Sequence, residues 1–173
     1  MPAHSADSAP TQHYVLSVGS NVPHHHHGAP RHVIAAAALQ LNETGISIVA
    51  RSTTMFFAPL GPSRRRFANA AWIVATSLDP DELLGTLKAL EIGFGRRPGQ
   101  RWGARVIDLD IILWSGGFWR DRTLSVPHPA WQLRDFVLEP MVRVAPDWRD
   151  PASGLAVRHI AARIRRPNPA NCD

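Results

Sequence analysis

Val106-Ile107-Asp108-Leu109-Asp110-Ile111-Ile112-Leu113-Trp114 is apolar at every position but two. Such a run reads as a central strand of a sheet. Side chains alternate across a strand, so Asp108 and Asp110 point to one face. Their Cα atoms fall about 6.5–7 Å apart, at a rise of about 3.3 Å per residue. Two carboxylates on one face of a buried strand need cations to stay charged. Arginines are one source, with Arg101 and Arg105 just upstream. Divalent ions are the other. Mg2+ is commonly held by one or two carboxylates plus substrate phosphates, and two carboxylates can bridge a pair of ions across a transferring phosphorus.

The segment before this strand favours an anionic ligand. Arg96, Arg97, Arg101 and Arg105 crowd ten residues together with Gly99 and Gly103, just after Gly95. Like charges at that density repel unless an anion sits among them. A pliable basic lid beside an acidic metal site suits polyphosphate chemistry, and Trp102 is placed to cover a flat ligand. Neither GxxxxGK[ST] nor GxGxxG occurs, which excludes a Walker or Rossmann phosphate cradle. Upstream again, Asp79-Pro80-Asp81-Glu82 is a helix start, with an N-cap, a Pro at the first position and an acid at the third. Leu83, Leu87, Leu90 and Phe94 recur at helical spacing, and Gly95 offers a stop. Glu91 falls inside the apolar stripe, at the rim of the core or aimed at a ligand.

The remaining elements are read the same way. Strands are expected over residues 13–19, 46–53 and 69–77, and a helix over 31–41, with Gly19-Ser20-Asn21 as a turn after the first strand. A hairpin is expected near Gly116-Gly117, then helices over about 137–144 and 159–165. The order β-α-β-β-α-β predicts an α+β, ferredoxin-like core: an antiparallel sheet covered by helices on one face, with C-terminal hairpin and helix additions. Residues 13–165 form the expected single domain, with loose tails at 1–12 and 166–173.

Composition bounds the function. The chain has 173 residues, 45% hydrophobic and 19% charged, a globular profile able to bury a core without staples. Its one cysteine, Cys172, excludes an intramolecular disulfide. No apolar run is long enough to span a membrane, and the start is not a secretory signal; a cytoplasmic protein without membrane contact is expected. The 19 basic residues exceed the 14 acidic ones, and all but Lys88 are Arg. Arg suits phosphate oxygens, although GC-rich coding favours Arg equally well. The run His24-His25-His26-His27 is read as a solvated loop with no metal assigned.

Arg101-Trp102-Gly103-Ala104-Arg105-Val106-Ile107-Asp108-Leu109-Asp110-Ile111-Ile112 resembles the signature of the 6-hydroxymethyl-7,8-dihydropterin pyrophosphokinase family. Val18-Gly19-Ser20-Asn21, Phe67-Ala68-Asn69-Ala70-Ala71, Val126-Pro127-His128-Pro129 and the stretch from Arg134 to Leu138, with Pro140, resemble further family segments in the same order. The resemblance implies transfer of pyrophosphate from ATP to the hydroxymethyl group of the pterin, releasing AMP, in tetrahydrofolate biosynthesis. It implies that Asp108 and Asp110 hold two Mg2+ ions with ATP bound. Arg96 and Arg105 would clamp the phosphates. Phe67 and Phe136 would sandwich the pterin and Asn69 would bond its edge. Trp102 would close over the site. His128 and Arg134 would contact nucleotide phosphates, Ser125 the ribose, and Glu91 would lie beside the nucleotide. Family members often carry Thr-Pro-Pro before Leu-Gly in the second loop. Here Phe57-Ala58-Pro59 precedes Leu60-Gly61, leaving backbone contacts from Leu60 to the pterin. A monomer with ATP and the pterin as partners, and no nucleic acid, is expected. A basic nucleic-acid module, a metal-dependent phosphohydrolase and a pterin binder without catalysis are the rivals.

Overall fold

The computed structural model describes residues 10–58, 65–95 and 106–164. Its elements run β1 (Gln12–Ser20), α1 (Pro30–Glu43), β2 (Ser47–Arg51), β3 (Met55–Phe57), β4 (Phe67–Thr76), α2 (Pro80–Gly93), β5 (Asp108–Trp114), β6 (Trp119–Arg120), β7 (Ser125–Val126), a 3-10 turn (Trp131–Leu133), α3 (Asp135–Val144) and α4 (Val157–Ile164). The expected tails lie largely outside the described residues.

Four strands stand in the order β2-β4-β1-β5, with β3 also paired to β4, and every pairing is antiparallel. This is the expected ferredoxin-like order, but it places β5 at an edge, which corrects the central-strand reading: the apolar run answers to cover on both faces, not to a strand on each side. Alternation along β1 sorts the core. Tyr14, Leu16 and Val18 join Leu83, Leu87 and Leu90 of α2 and Val33 and Leu41 of α1 in one buried cluster. Val15 faces the other way, with Ala71, Ile112, and Val137, Leu138 and Met141 of α3. Helices therefore cover both faces, which corrects the one-face expectation. The strands are apolar on both sides over much of their length, and each side needs a cover.

The start of α2 follows its sequence closely. Asp79 Oδ1 accepts from the Asp81 and Glu82 N–H groups at 3.0 and 2.9 Å, while Glu82 Oε2 accepts from the Asp79 N–H at 2.9 Å. Two orphan donors and the entry backbone are satisfied reciprocally. Other boundaries move. Gly19-Ser20 is not a turn, because both residues stay paired in β1. The β5 strand begins at Asp108, two residues later than expected. The hairpin is β6–β7, beyond the turn at Gly116-Gly117. In that hairpin loop Asp121 accepts from the Thr123 and Leu124 N–H groups and from Trp119 Nε1, and these bonds hold its carboxyl well below the usual carboxylate range. No described helix is long and apolar enough to cross a membrane.

Candidate active site

The register of the sheet places three expected residues in one cross-strand row. Gly19 of β1 lies opposite Asn69 of β4 on one side and Asp108 of β5 on the other. One step along, Ser17 lies between Ala71 and Asp110 in the same way. Asn69, Gly19, Asp108, Ser17 and Asp110 thus share the face that α3 covers farther along. On that face the apolar pattern of Val15, Ala71 and Ile112 gives way to a polar end. Phe67, two residues before Asn69, has the same facing. Phe136, in the first turn of α3, packs against the apolar part of this face.

Gly19, expected in a turn, is instead a paired strand position beside Asn69. A Cβ built there would come within 3.2 Å of Asn69 Nδ2. A glycine inside a strand pattern signals such close approach, and here it makes room for the Asn69 amide. Among the described residues, buried Asn69 Oδ1 and His128 Nδ1 have no hydrogen-bond partner. An unsatisfied buried acceptor costs about 1–3 kcal/mol, a cost that a ligand carrying N–H groups would remove.

The electrostatics at Asp110 agree with a cation site. Burial raises its pKa first and the neighbouring Asp108 carboxylate raises it further; Lys88 and His128 pull the other way. Removing like-charge repulsion between two carboxylates is what a divalent ion does. No group of three or more His, Cys, Asp or Glu suited to a metal converges among the described residues. A pair of carboxylates is an incomplete cage, which fits Mg2+ completed by phosphate oxygens and water.

A bulge in β5 helps bring His128 to this pair. The β1–β5 register slips between Val15 and Leu16, opposite Ile111 and Leu113, so Ile112 is the extra residue. Its carbonyl accepts the His128 N–H at 3.0 Å, tying the loop after β7 to β5. His128 and Ser125 also line a cavity of about 580 Å³ with Trp119, Pro127, Trp131 and Gln132. Asp108 and Asp110 do not line it, so Ser125 stands apart from the carboxylate row and His128 links the two. Arg134 sets its guanidinium 6.0 Å from the centre of the Phe136 ring, a cation–π arrangement that ties two expected ligand contacts to each other.

Glu91 is fully buried on α2. One of its oxygens accepts from Lys88 Nζ at 2.9 Å and from the Leu109 N–H at 2.7 Å. Through these bonds its carboxylate engages Lys88 on α2 and the backbone of β5. Leu60, Arg96, Trp102 and Arg105 lie outside the described residues. The histidine run forms a turn in which His24 Nδ1 accepts from the His26 and His27 N–H groups at 3.2 and 3.3 Å. The rings of His24 and His27 pack against Phe94, while His25 and His26 are exposed.

Residues 15–146 match the family model described as 7,8-dihydro-6-hydroxymethylpterin-pyrophosphokinase (HPPK). The chain is 37% identical to the 2-amino-4-hydroxy-6-hydroxymethyldihydropteridine pyrophosphokinase of Methylorubrum extorquens, over 86% of this chain and 91% of that one. It is 39% identical to the like-named protein of Pseudomonas aeruginosa, over 81% of this chain and 85% of that one. A third like-named protein, from Synechocystis sp., is 37% identical over 69% of this chain and 62% of its own length. Among solved structures, wild-type HPPK-DHPS from Plasmodium falciparum has a TM-score of 0.69 at 14% identity, over 91% of this chain and 42% of that one. At that identity the likeness concerns the fold.

Proposed function

The chain belongs to the 7,8-dihydro-6-hydroxymethylpterin-pyrophosphokinase family, and from that premise we propose that it moves the β,γ-pyrophosphoryl group of ATP to the hydroxymethyl oxygen of the dihydropterin. The new bond joins that oxygen to the β-phosphorus. The bond broken is the one from the β-phosphorus to the α–β bridging oxygen, which leaves on AMP. The single observation that carries this assignment to residues is the cross-strand row Asn69–Gly19–Asp108, with Asp110 one step along on the same face.

Asp108 and Asp110 would hold two Mg2+ ions, which when bound neutralise the polyphosphate and polarise the phosphorus under attack. The side chains do the rest by positioning, the dominant contribution in phosphoryl-type transfer. Asn69 Oδ1 is a buried acceptor without a donor among the described residues, and the amino edge of a pterin carries one. Gly19 lets that edge approach the backbone. Phe67 and Phe136 offer aromatic faces for offset stacking. His128, tied to β5 by its backbone, would reach nucleotide phosphates together with Arg134, and Ser125 would take the ribose. From the segments at 59–64 and 96–105, Leu60 would add pterin contacts, Trp102 cover and Arg96 and Arg105 charge neutralisation. Every contact named comes from one chain, so a monomer suffices.

The test is a product assay. AMP should form in equal amount to the pterin diphosphate, and only with Mg2+, ATP and the hydroxymethyl dihydropterin all present. ADP as product, or phosphate release without pterin, would reject the assignment.

A further inference from the structure

We propose that Lys88 and Glu91 form a positioning clamp on the Leu109 backbone, holding one group of each of the two peptide units that join Asp108 to Asp110, a role that rests on those aspartates being the cation ligands proposed above. The β5 strand is an edge strand. Asp108 and Asp110 project toward the site, while Leu109 points into the α1/α2 core. The outer edge of β5 at Leu109 would ordinarily present an unpaired N–H and C=O. On this edge Glu91 Oε1 accepts the Leu109 N–H at 2.7 Å, Lys88 Nζ donates to the Leu109 carbonyl at 3.4 Å, and the two side chains join at 2.9 Å. One helical turn thus supplies the donor and the acceptor that a partner strand would have supplied.

Placement argues for more than edge protection. A fully buried carboxylate is expensive unless charge-paired and hydrogen-bonded, and a polar cap on a solvent-facing edge does not require that burial. The two peptide units held, one on each side of Leu109, are the ones whose orientation sets the spacing and direction of both carboxylates. Lys88 is also the only lysine in a chain of arginines. A compact ammonium can approach both a carboxylate and a carbonyl oxygen without the flat reach of a guanidinium. Groups that orient metal ligands from behind typically change metal affinity 10- to 100-fold when removed.

The experiment compares wild type with Glu91→Ala, Glu91→Gln and Lys88→Met in the full chain. Three quantities are read: hydrogen exchange at the Leu109 amide, binding of a non-hydrolysable ATP analogue with Mg2+, and binding of the same analogue in EDTA. In Glu91→Ala the Leu109 amide should exchange faster, and affinity with Mg2+ should fall about tenfold while affinity in EDTA holds. Glu91→Gln keeps an acceptor for the Leu109 N–H, so it should recover much of both. If Glu91→Ala fails to fold, Lys88→Met should show the same two changes at smaller size. Loss of Leu109 protection with Mg2+-dependent affinity unchanged would overturn the clamp and leave edge protection alone. A wild type whose nucleotide binding ignores Mg2+ would overturn the cation site itself, and the clamp with it.

Discussion

On the side of the sheet covered by α1 and α2, Leu16, Ala70 and Leu109 are buried against Leu87 and Leu90. On the other side of the same strands, at almost the same positions, stand Ser17, Asn69 and Asp110, the last with its pKa raised by burial and by Asp108. One residue of offset separates a face built for stability from a face that gives up stability at one end. The strand period of two makes this possible, since neighbouring residues answer to different layers. A substitution in the side-chain packing of one face, away from the Lys88 and Glu91 contacts to the Leu109 backbone, should therefore leave the other nearly alone, and that is open to test.

The largest effect should come from Asp110→Ala. Removal of a carboxylate that would hold charge-neutralising cations should cost about 10²–10³ in turnover, as loss of a transition-state stabilising group does. AMP release should fall by at least that much, with no loss in the unfolding midpoint. Asp110→Asn should also alter how stability depends on pH. Because the folded pKa is raised, the ligand-free wild type is relatively most stable below the ordinary carboxylate range and loses that contribution as pH rises through the raised value. The Asn variant has no proton to lose, so its advantage in urea unfolding should grow across that window and then level off. A variant that tracked the wild type at every pH would show that Asp110 is not strained by its surroundings.

Next in size is Leu87→Ala on the opposite face, which should cost about 2–5 kcal/mol in chemical denaturation. Turnover per folded molecule should stay the same. Gly19→Ala should weaken pterin binding about tenfold, about 1.4 kcal/mol, by displacing the Asn69 amide; a pterin titration against wild type reads it. Smallest is Asp79→Ala, which removes the α2 N-cap. It should lower stability by about 1 kcal/mol, seen as a shifted denaturation midpoint with unchanged kinetics.

The sequence made legible whatever depends on neighbours in the chain. The alternation in β5 put both aspartates on one face, and the Asp79–Glu82 box set the start of α2. Helix cover on both faces was also visible, since Val15 and Leu16 are adjacent and both apolar, but the strand pattern was read for one face only. The short β3 strand, Met55–Phe57, was missed because three residues beside Ala58-Pro59 carry little signal of their own and are held by pairing with β4. Gly19 looked like punctuation because the Asn69 amide it makes room for is fifty residues away. Lys88 and Glu91 stand at i,i+3, a spacing anyone could pair, yet their shared target on Leu109 exists only once α2 lies along β5. The bond from the Leu109 N–H to Glu91 was accordingly invisible in the sequence.

The most direct measurement is a crystal structure with Mg2+ and a non-hydrolysable ATP analogue. Two cations bound by Asp108 and Asp110 and completed by phosphate oxygens are the predicted result. The same carboxylates held only by guanidinium groups, with the nucleotide elsewhere and no cation between them, would contradict it.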